Sequence, residues 1–446
     1  MYRNKGTITV FLSLISMLFL SLFCTMAESV RVQAARFQAA AAFDMGLFSI
    51  FGEYDRVLLE EYDLWFLDGS SEEQKIREVL ETKLEKYIQP NINPRYNLAA
   101  GRSWDVFPTE LDRCTVDKYA LATDHGGQVF YSQAVENQKE LFVGEAASAL
   151  KKNIKQMEEG HQKGEEYQNE EQKADEEYQR AQAAQMEEKK RQESEKENAE
   201  KQEESDTDIK ETEAVQAKVE NPLDQIKKIK SMGILGLVLK DGTVVSDKTI
   251  ERKDLPSERN LQKGSLLVDE ISADPVSEAI FLNYLQKHFQ CAVDEGGKHQ
   301  KGSKEHSLSY ELEYIIGGQK SDRENLKKTV NRILLIREGM NYATLAKSAK
   351  MRGEAMALAA AITGAAALPE FAGALQKLLM LAWAYGESLL DVRTLLAKGK
   401  VPMLKAETEW KLPLEKLGML AEVLKECDAG GGNGILKILD NMQVPV

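Results

Sequence analysis

Four residues in one stretch of the chain have side chains that bind zinc, namely His288, Cys291, His299 and His306. Imidazole nitrogen and thiolate sulfur are the usual ligands of structural zinc, and the separation of His288 from Cys291 is one that such sites use. His299 and His306 are separated by six residues, which is wider than structural zinc sites use. Both lie among lysines and glycines, where an exposed histidine is ordinary. We therefore predict no metal ion and no cofactor.

Two carboxylates, Glu387 and Asp391, lie one turn apart on a predicted helix and therefore share a face. Such a pair can act as general acid and general base. The same pair can equally form a salt bridge, for which Arg393 and Arg352 are the candidate partners. We favour the salt bridge over catalysis.

The sequence lacks the patterns of common catalytic and nucleotide-binding sites, because it has no Walker A, HExxH, GxSxG or GxGxxG motif. The segment "GGQKS" at 317–321 is interpreted as a turn before a capped helix. The segment "AGGGNG" at 429–434 is interpreted as a flexible end after a helix. We predict that the protein is not an enzyme and has no catalytic, cofactor-binding or metal-binding residue.

The net charge and the cysteine content further narrow the class of protein to which this chain can belong. The net charge of −14 argues against a nucleic-acid partner, and residues 151–220 concentrate it, with 22 acidic against 13 basic residues. The four cysteines, Cys24, Cys114, Cys291 and Cys427, are far apart and form no CxxC pair, so they are no disulfide framework. One bridge with a free thiol and three free thiols outside the apolar run both remain open.

The N-terminus begins with a long apolar run. Residues 7–27 carry no charge, and as a helix they span roughly 30 Å, enough to cross a bilayer. Arg3 and Lys5 favour a cytoplasmic N-terminus. A cleaved signal peptide ending at Ala27 is one alternative. A lipoprotein signal at Cys24 is disfavoured by the bulky Phe23, and we favour an uncleaved anchor.

The residues after the apolar run favour the anchor because the helical pattern continues without a break. Ala-rich residues 39–42 are strong helix formers, and the next stop signal is "LDGSS" at 67–71. Apolar residues recur at steps of three and four, as one stripe on a helix, at Phe43, Leu47, Ile50, Phe51, Tyr54, Leu58, Tyr62 and Trp65. The pattern predicts one rod of about sixty residues.

The middle of the chain divides into two parts. Residues 72–150 predict a helix that ends before Pro90 and short strands at "TVDKYALA" and "QVFYS". Residues 151–220 are rich in Glu, Lys and Gln, and several Glu–Lys or Glu–Arg pairs at i,i+4 support a helix. No apolar heptad is sustained, so we predict a solvated helix or disordered linker rather than a coiled coil.

Folding signals return after Pro222. The segment "ILGLVLKDGTVVS" predicts two strands joined by an Asp-Gly turn, and "LSYELEYIIGG" alternates as a strand does. The segment "VSEAIFLNYLQKHF" predicts a helix, and Ser321 with Glu324 forms a capping box before another. Residues 354–398 are rich in Ala and Leu but carry charges, so we predict a buried helical hairpin rather than a second membrane crossing.

Two resemblances follow from these segments. A basic tip, Gly6 and "TITVFLSL" leading into a long helix resemble the N-terminus of TadE/TadG-type pseudopilins, which are membrane-anchored minor subunits of Tad (Flp-type) pilus machines. Phe11 stands where prepilin processing usually has a glutamate. The segments "ESVRVQAARFQ", "FGEYDRVLLEEYDLWFLD", "NRILLIREGMNYATL" and "LAWAYGESLLDVRTLLAKGKVPMLK" resemble an uncharacterised family of Gram-positive, mainly clostridial, bacteria, found alongside Tad pilus components.

The sequence thus predicts an α+β, mainly helical protein with a long N-terminal transmembrane-plus-stalk helix and a mixed extracytoplasmic domain. Its expected parts are a cytoplasmic tip (1–6), a transmembrane helix (7–27), an amphipathic stalk helix (28–68), a small mixed region (69–150), a charged linker (151–221) and a mainly helical α+β domain (222–446). The expected partners are the lipid bilayer and other proteins bound through the N-terminal helix.

The expected role is a non-enzymatic structural or accessory subunit of a cell-surface appendage or its assembly machine. This assignment to a pilus is what the resemblance implies. The alternatives are a membrane-tethered extracellular hydrolase or metal-binding module, and an envelope tether or sensor.

Overall fold

The computed structural model describes residues 5–68, 76–92, 96–97, 103–104, 109–139, 145–200, 221–231, 233–240, 243–251, 264, 266, 274–293, 306–365 and 371–420. These residues are mostly helical, and their helices are α1 Lys5–Phe51, α2 Arg56–Tyr62, α3 Ile76–Ile92, α4 Gln128–Lys139, α5 Glu145–Glu200, α6 Pro222–Ser231, α7 Ile234–Val238, α8 Pro275–His288, α9 Glu311–Gly317, α10 Asp322–Lys347, α11 Ala349–Ala365 and α12 Ala372–Leu396. The chain forms two compact units, Met1–Phe142 with Pro256–Tyr284 and Val143–Leu255 with Leu285–Val446.

The mainly helical prediction is confirmed, but the predicted mixture of helices and strands is not seen in the described residues. The strands described there are β1 Tyr96–Asn97 and β2 Ser103–Trp104, which form one short antiparallel pair. Two segments predicted as strands are instead part of helices α7 and α9. The predicted strand "QVFYS" is the first part of α4.

Local hydrogen bonding explains part of this difference. The backbone N–H groups of Ser309 and Tyr310, ahead of α9, donate to the buried carboxylate of Asp322 rather than to a neighbouring strand. The predicted strand "TVDKYALA" has no regular structure, and Val116 N donates to Glu81 of α3 at 3.0 Å. Side chains thus satisfy backbone groups that a sheet would otherwise pair.

The first unit is organised around the second half of α1. This half packs against α3 through a cluster of buried residues comprising Ala42, Ile50, Leu84, Ile88, Ile92 and Cys114. A Cβ atom on Gly46 would lie 2.5 Å from Ile88 Cγ1, so glycine lets the two helices approach closely. The helix α3 continues two residues past Pro90, and the carbonyl of its last residue accepts a hydrogen bond from Gln38 Nε2 at 2.7 Å.

The predicted single rod of about sixty residues is longer than the helix that the structure shows. Helix α1 is continuous through the apolar run and ends at Phe51, after 47 residues and about 70 Å. A turn follows, and Asp55 starts α2 by accepting hydrogen bonds from Val57 N and Leu58 N. Helix α1 therefore ends just before Gly52, because Asp55, three residues farther on, caps the start of a new helix.

The second unit has its core along α12, which is buried on all sides from Leu378 to Val392. Helices α10 and α11 pack against α12, and α6 and α7 add apolar residues to the same core. The hairpin predicted for 354–398 is confirmed as α11 and α12, whose small residues Ala355 and Ala359 are fully buried. The predicted capping of α10 is confirmed in one of the two hydrogen bonds of a capping box, since Ser321 Oγ accepts from Glu324 N.

The structure of the charged segment, residues 151–220, differs most from the prediction where it is described. It is helical from Glu145 to Glu200, as one prediction allowed, but it is not a solvated linker over its middle. Tyr167, Ala174 and Tyr178 are buried in the core of the second unit, where α5 packs against α10 and α12. The linker interpretation is therefore wrong for residues 167–178. This part of α5 has almost no aliphatic side chains, and its buried face consists of tyrosine and alanine instead.

Candidate functional site

Helix α1 exposes an apolar stripe that continues beyond its uncharged first half. The stripe consists of Met26, Val30, Phe37, Phe48 and Phe51. The steps between its successive members are 4, 7, 11 and 3 residues, which return to one side of a helix with 3.6 residues per turn. Phe37 and Phe48 are 77% and 84% exposed, which is unusual for phenylalanine and makes this stripe the candidate interaction surface of α1.

The exposed stripe lies on the opposite side of α1 from the contact with α3. Ala42, Gly46 and Ile50 are buried against α3 and differ from the stripe positions by about half a turn. The second half of α1 thus has two apolar faces, and the α3 contact satisfies only one of them. The single stripe predicted from Phe43 to Trp65 therefore combines residues of both faces, since it includes Ile50 and Phe51.

Among the described helices, α1 alone is long and apolar enough to cross a membrane. Its apolar window is fully exposed within the protein, unlike α12, whose apolar residues form a core. A signal sequence near an N-terminus has the same properties, so this finding is compatible with a single-pass membrane protein or a signal sequence.

The second unit contains a buried cluster of four charged residues, which we call the ion cluster: Arg337, Glu387, Asp391 and Lys405. Arg337 lies on α10, the two carboxylates lie on α12, and Lys405 lies in the segment that follows. Arg337 donates to Asp391 Oδ2 from Nη2 at 2.7 Å and from Nε at 3.0 Å. Lys405 Nζ contacts Glu387 Oε1 and Asp391 Oδ1. The formal charges balance, which a buried cluster requires.

Neutral groups complete the ion cluster. Asn341 Nδ2 donates to Asp391 Oδ2 at 3.0 Å and to Ser388 Oγ at 2.9 Å. The backbone N–H of Leu412 donates to Glu387 Oε2 at 2.7 Å. Arg337 Nη1 also donates to the carbonyls of residues 402 and 403, at 2.9 and 3.0 Å. The cluster therefore ties the chain after α12 to the α10–α12 pair.

This geometry shows which groups Glu387 and Asp391 contact. The predicted salt bridge is confirmed, but the predicted partners are wrong, since Arg337 and Lys405 occupy the place given to Arg393 and Arg352. Burial raises the pKa of Glu387, and the ammonium of Lys405 opposes this effect. Both carboxylates are fully buried and engaged by protein groups, so the cluster acts as a structural lock.

Sequence reasoning missed Arg337 and Lys405 because both are more than ten residues from the carboxylates that they contact. A signal was present for Arg337, since it follows the apolar run from Ile333 to Ile336 on a predicted helix. A charge next to such a run on a core helix needs a buried partner.

The zinc-type residues do not form a described site. The part of the chain that the structure describes has no group of three or more His, Cys, Asp or Glu residues placed to hold a metal. His306 Nδ1 lies 2.7 Å from Glu311 Oε1, and His299 falls outside the described residues. No disulfide joins the described cysteines Cys24, Cys114 and Cys291.

A small cleft lies near the ion cluster. Its volume is about 190 Å³, and Trp383 and Trp410 contact each other edge to face at 5.3 Å in its wall. The remaining lining residues are Lys350, Met351, Glu354, Glu407, Leu412 and Pro413. Its volume is below the roughly 300–1,000 Å³ of ordinary small-molecule sites. Its rim carries both charge signs, so it does not define a ligand class.

Comparison with known proteins assigns the chain to a family. A model of a family of unknown function, DUF5702, matches residues 212–436. The chain belongs to the DUF5702 family. The expectation of an uncharacterised family is thereby confirmed for this range, which contains α6 to α12 and the whole ion cluster.

The DUF5702 match leaves the N-terminal features unassigned. Helices α1 and α5 lie outside the matched residues, and the family description carries no activity, organism or link to pili. No curated protein and no solved structure matches the chain.

Proposed function

We propose that this DUF5702 protein is a membrane-anchored, non-enzymatic structural or accessory subunit of a cell-surface appendage or its assembly machine. The observation that carries the proposal is the exposed stripe on α1, which continues from the apolar run into the folded first unit. The pseudopilin-like, Tad-type assignment rests on the resemblance of the N-terminal residues to TadE/TadG proteins.

The proposed topology has the N-terminus in the cytoplasm and the residues that follow the apolar run outside. Arg3 and Lys5 precede the uncharged run of residues 7–27, as the positive-inside rule expects. The roughly 30 Å of helix in this run matches the hydrocarbon layer. Phe37 and Phe48 then lie about 15 and 32 Å beyond residue 27, at a rise of about 1.5 Å per residue, and are outside the lipid.

Exposed phenylalanines beyond the lipid are best covered by protein. Burying a phenylalanine side chain contributes roughly 2 kcal/mol, so Phe37, Phe48 and Phe51 together supply a useful share of an association energy. The partner must be elongated, since the stripe follows one helix over 26 residue positions. A helix anchored in the same membrane meets this requirement, as in a subunit packed among like subunits.

The test is removal and complementation of the gene in the host. We expect loss of the surface appendage on deletion and recovery with the wild-type chain, observed by electron microscopy of whole cells. A variant with Phe37→Ser and Phe48→Ser is expected to stay in the membrane and to fail in complementation. Arg31→Gln is the matched control, because Arg31 is exposed on α1 but lies outside the stripe.

Membrane retention is measured in the same strains by carbonate extraction. The protein is expected in the pellet, and a soluble product beginning at Glu28 would show a cleaved leader and contradict the anchor. Normal appendages in the deletion strain would contradict the structural role, whatever the location of the protein.

A further inference from the structure

Glu338 of α10 is a buried carboxyl where α5 and α12 pack against α10 and α6 packs against α12, with only 5% of its surface exposed. The charged or titratable groups facing it are Glu171 and Tyr167 of α5, Lys230 of α6 and Tyr385 of α12, with Tyr342 nearby on α10 itself. These groups are separate from the ion cluster.

Helix α5 crosses α10 closely beside this carboxyl. A Cβ atom on Gly339 would lie 2.2 Å from the backbone carbon of Lys163, and one on Gly164 would lie 2.8 Å from Leu335 O. Gly160 makes a third close approach, to Ile336. Such glycine contacts hold the two helices close together on either side of Glu338, so α5 forms part of the wall that buries this residue.

The positive charge near Glu338 is already engaged. Lys230 Nζ lies 3.2 Å from Glu171 Oε1 and 5.0 Å from the ring centre of Tyr385. Glu171 and Lys230 therefore balance each other, and ionisation of Glu338 would leave one uncompensated negative charge in the core. The buried hydroxyl of Tyr385 has no hydrogen-bond partner among the described residues, so it does not stabilise that charge in this arrangement.

We propose that the contact of α5 with α10 and α12 is a proton-controlled latch, in which a protonated Glu338 holds α5 in place and an ionised Glu338 favours its release. Release exposes the Glu338 carboxyl to water and removes the cost of its buried charge. The latch concerns the second unit alone and is independent of the proposed function.

The direction of the pH dependence follows from linkage. Burial raises the pKa of Glu338 to about 8, Glu171 adds to this effect and Lys230 opposes it. In the released state the pKa returns toward its ordinary value of 4.5. The docked state therefore binds the proton more tightly, so docking is strongest below about pH 4.5 and weakens up to about pH 8. Between pH 6 and pH 8 the docking equilibrium constant is expected to fall roughly 50-fold.

The test is native-state trypsin cleavage of the full chain in detergent micelles, followed at Lys163, Lys173 and Arg180 of α5. When opening and closing are fast relative to cleavage, the cleavage rate reports the open population. The Glu338→Gln variant carries no titrating group at this position, so the ratio of the wild-type rate to the variant rate removes the pH dependence of trypsin. This ratio is expected to rise roughly 50-fold from pH 6 to pH 8.

Glu176→Gln is the control, because Glu176 lies on the exposed face of α5. It is expected to keep the wild-type pH dependence. A ratio that stays constant from pH 6 to pH 8 would overturn the latch. If Glu338→Gln does not fold, the wild-type rate normalised to cleavage of a small peptide substrate decides the same question, and Glu338→Met serves as the second non-titrating variant.

Discussion

The close crossing of α5 and α10 makes Gly339→Ala an informative substitution. The added Cβ would lie 2.2 Å from the backbone carbon of Lys163 and 2.3 Å from the backbone nitrogen of Gly164. Both atoms belong to helical backbone, which cannot rotate away as a side chain can. We expect the substitution to separate α5 from α10.

The size of the effect is the difference of two contributions. Replacing glycine by alanine in a helix interior ordinarily stabilises by about 1 kcal/mol. Inserting a methyl group into a packed contact costs about 1–3 kcal/mol, and a contact between two backbones belongs at the upper end. Loss of the buried contacts of Tyr167 and Tyr178 adds to this cost. We expect a net destabilisation of about 2 kcal/mol.

Gly353→Ala is the matched control. Gly353 also lies inside a helix, α11, but a Cβ atom there meets no other atom within 4 Å. Its substitution is expected to stabilise the protein by up to about 1 kcal/mol. The two variants are compared by urea unfolding and by trypsin cleavage at Lys163 and Lys173. Gly339→Ala is expected to shift the urea midpoint down and to speed cleavage, and Gly353→Ala to do neither. Equal stability and equal protection of α5 in both variants would refute the close crossing.

Two further substitutions probe the ion cluster and the faces of α1. Asp391→Asn leaves Arg337 and Lys405 buried with too little negative charge and is expected to lower the free energy of unfolding in urea by about 3–5 kcal/mol. Asp247→Asn removes a charge from an exposed ion pair and is expected to change this free energy little. Equal effects of the two substitutions would contradict the structural lock. Ile50→Asp introduces a charge into the α1–α3 contact and is expected to unfold the first unit, with loss of helical signal in circular dichroism. Phe48→Asp changes an exposed residue and is expected to leave the spectrum unchanged. Loss of structure in both variants would contradict the division of α1 into two faces.

The sequence allowed accurate prediction of elements that depend on composition and local signals. The apolar run, the continuity of α1 past residue 27, the capping of α10 by Ser321 and the α11–α12 hairpin all follow from short-range patterns. The end of α1 was placed too far along because apolar residues at helical spacing continue after Gly52. Only the capping role of Asp55 separates the two helices.

The packing of α5 was missed because its buried face is made of unusual residues. Gly160, Gly164, Tyr167, Ala174 and Tyr178 follow steps of three, four and seven, as a heptad pattern does. A search for aliphatic residues at these positions does not detect a stripe of glycine, alanine and tyrosine. Close approach of backbones supplies here the contact that leucine supplies in a coiled coil.

The wrong strand predictions and the missed partners of the carboxylates share a cause. Alternation in "LSYELEYIIGG" is compatible with a strand, but the buried Asp322 binds the backbone at its start and the rest continues as α9. Likewise, Arg337 reaches Asp391 across 54 residues of chain. Contacts between distant segments decide both outcomes, and a single sequence does not reveal them.

The central claim is that α1 associates with another membrane-anchored helix through its exposed stripe. It is tested most directly by thiol cross-linking in intact membranes, with Val30→Cys and Glu28→Cys compared in a chain whose native Cys24 is replaced. The two positions lie near the same depth, and both are about two-thirds exposed, but they face different sides of α1. We predict a cross-linked product, with a second copy or a like subunit, from Val30→Cys and none from Glu28→Cys. Equal cross-linking at both positions, or none at either, would contradict the claim.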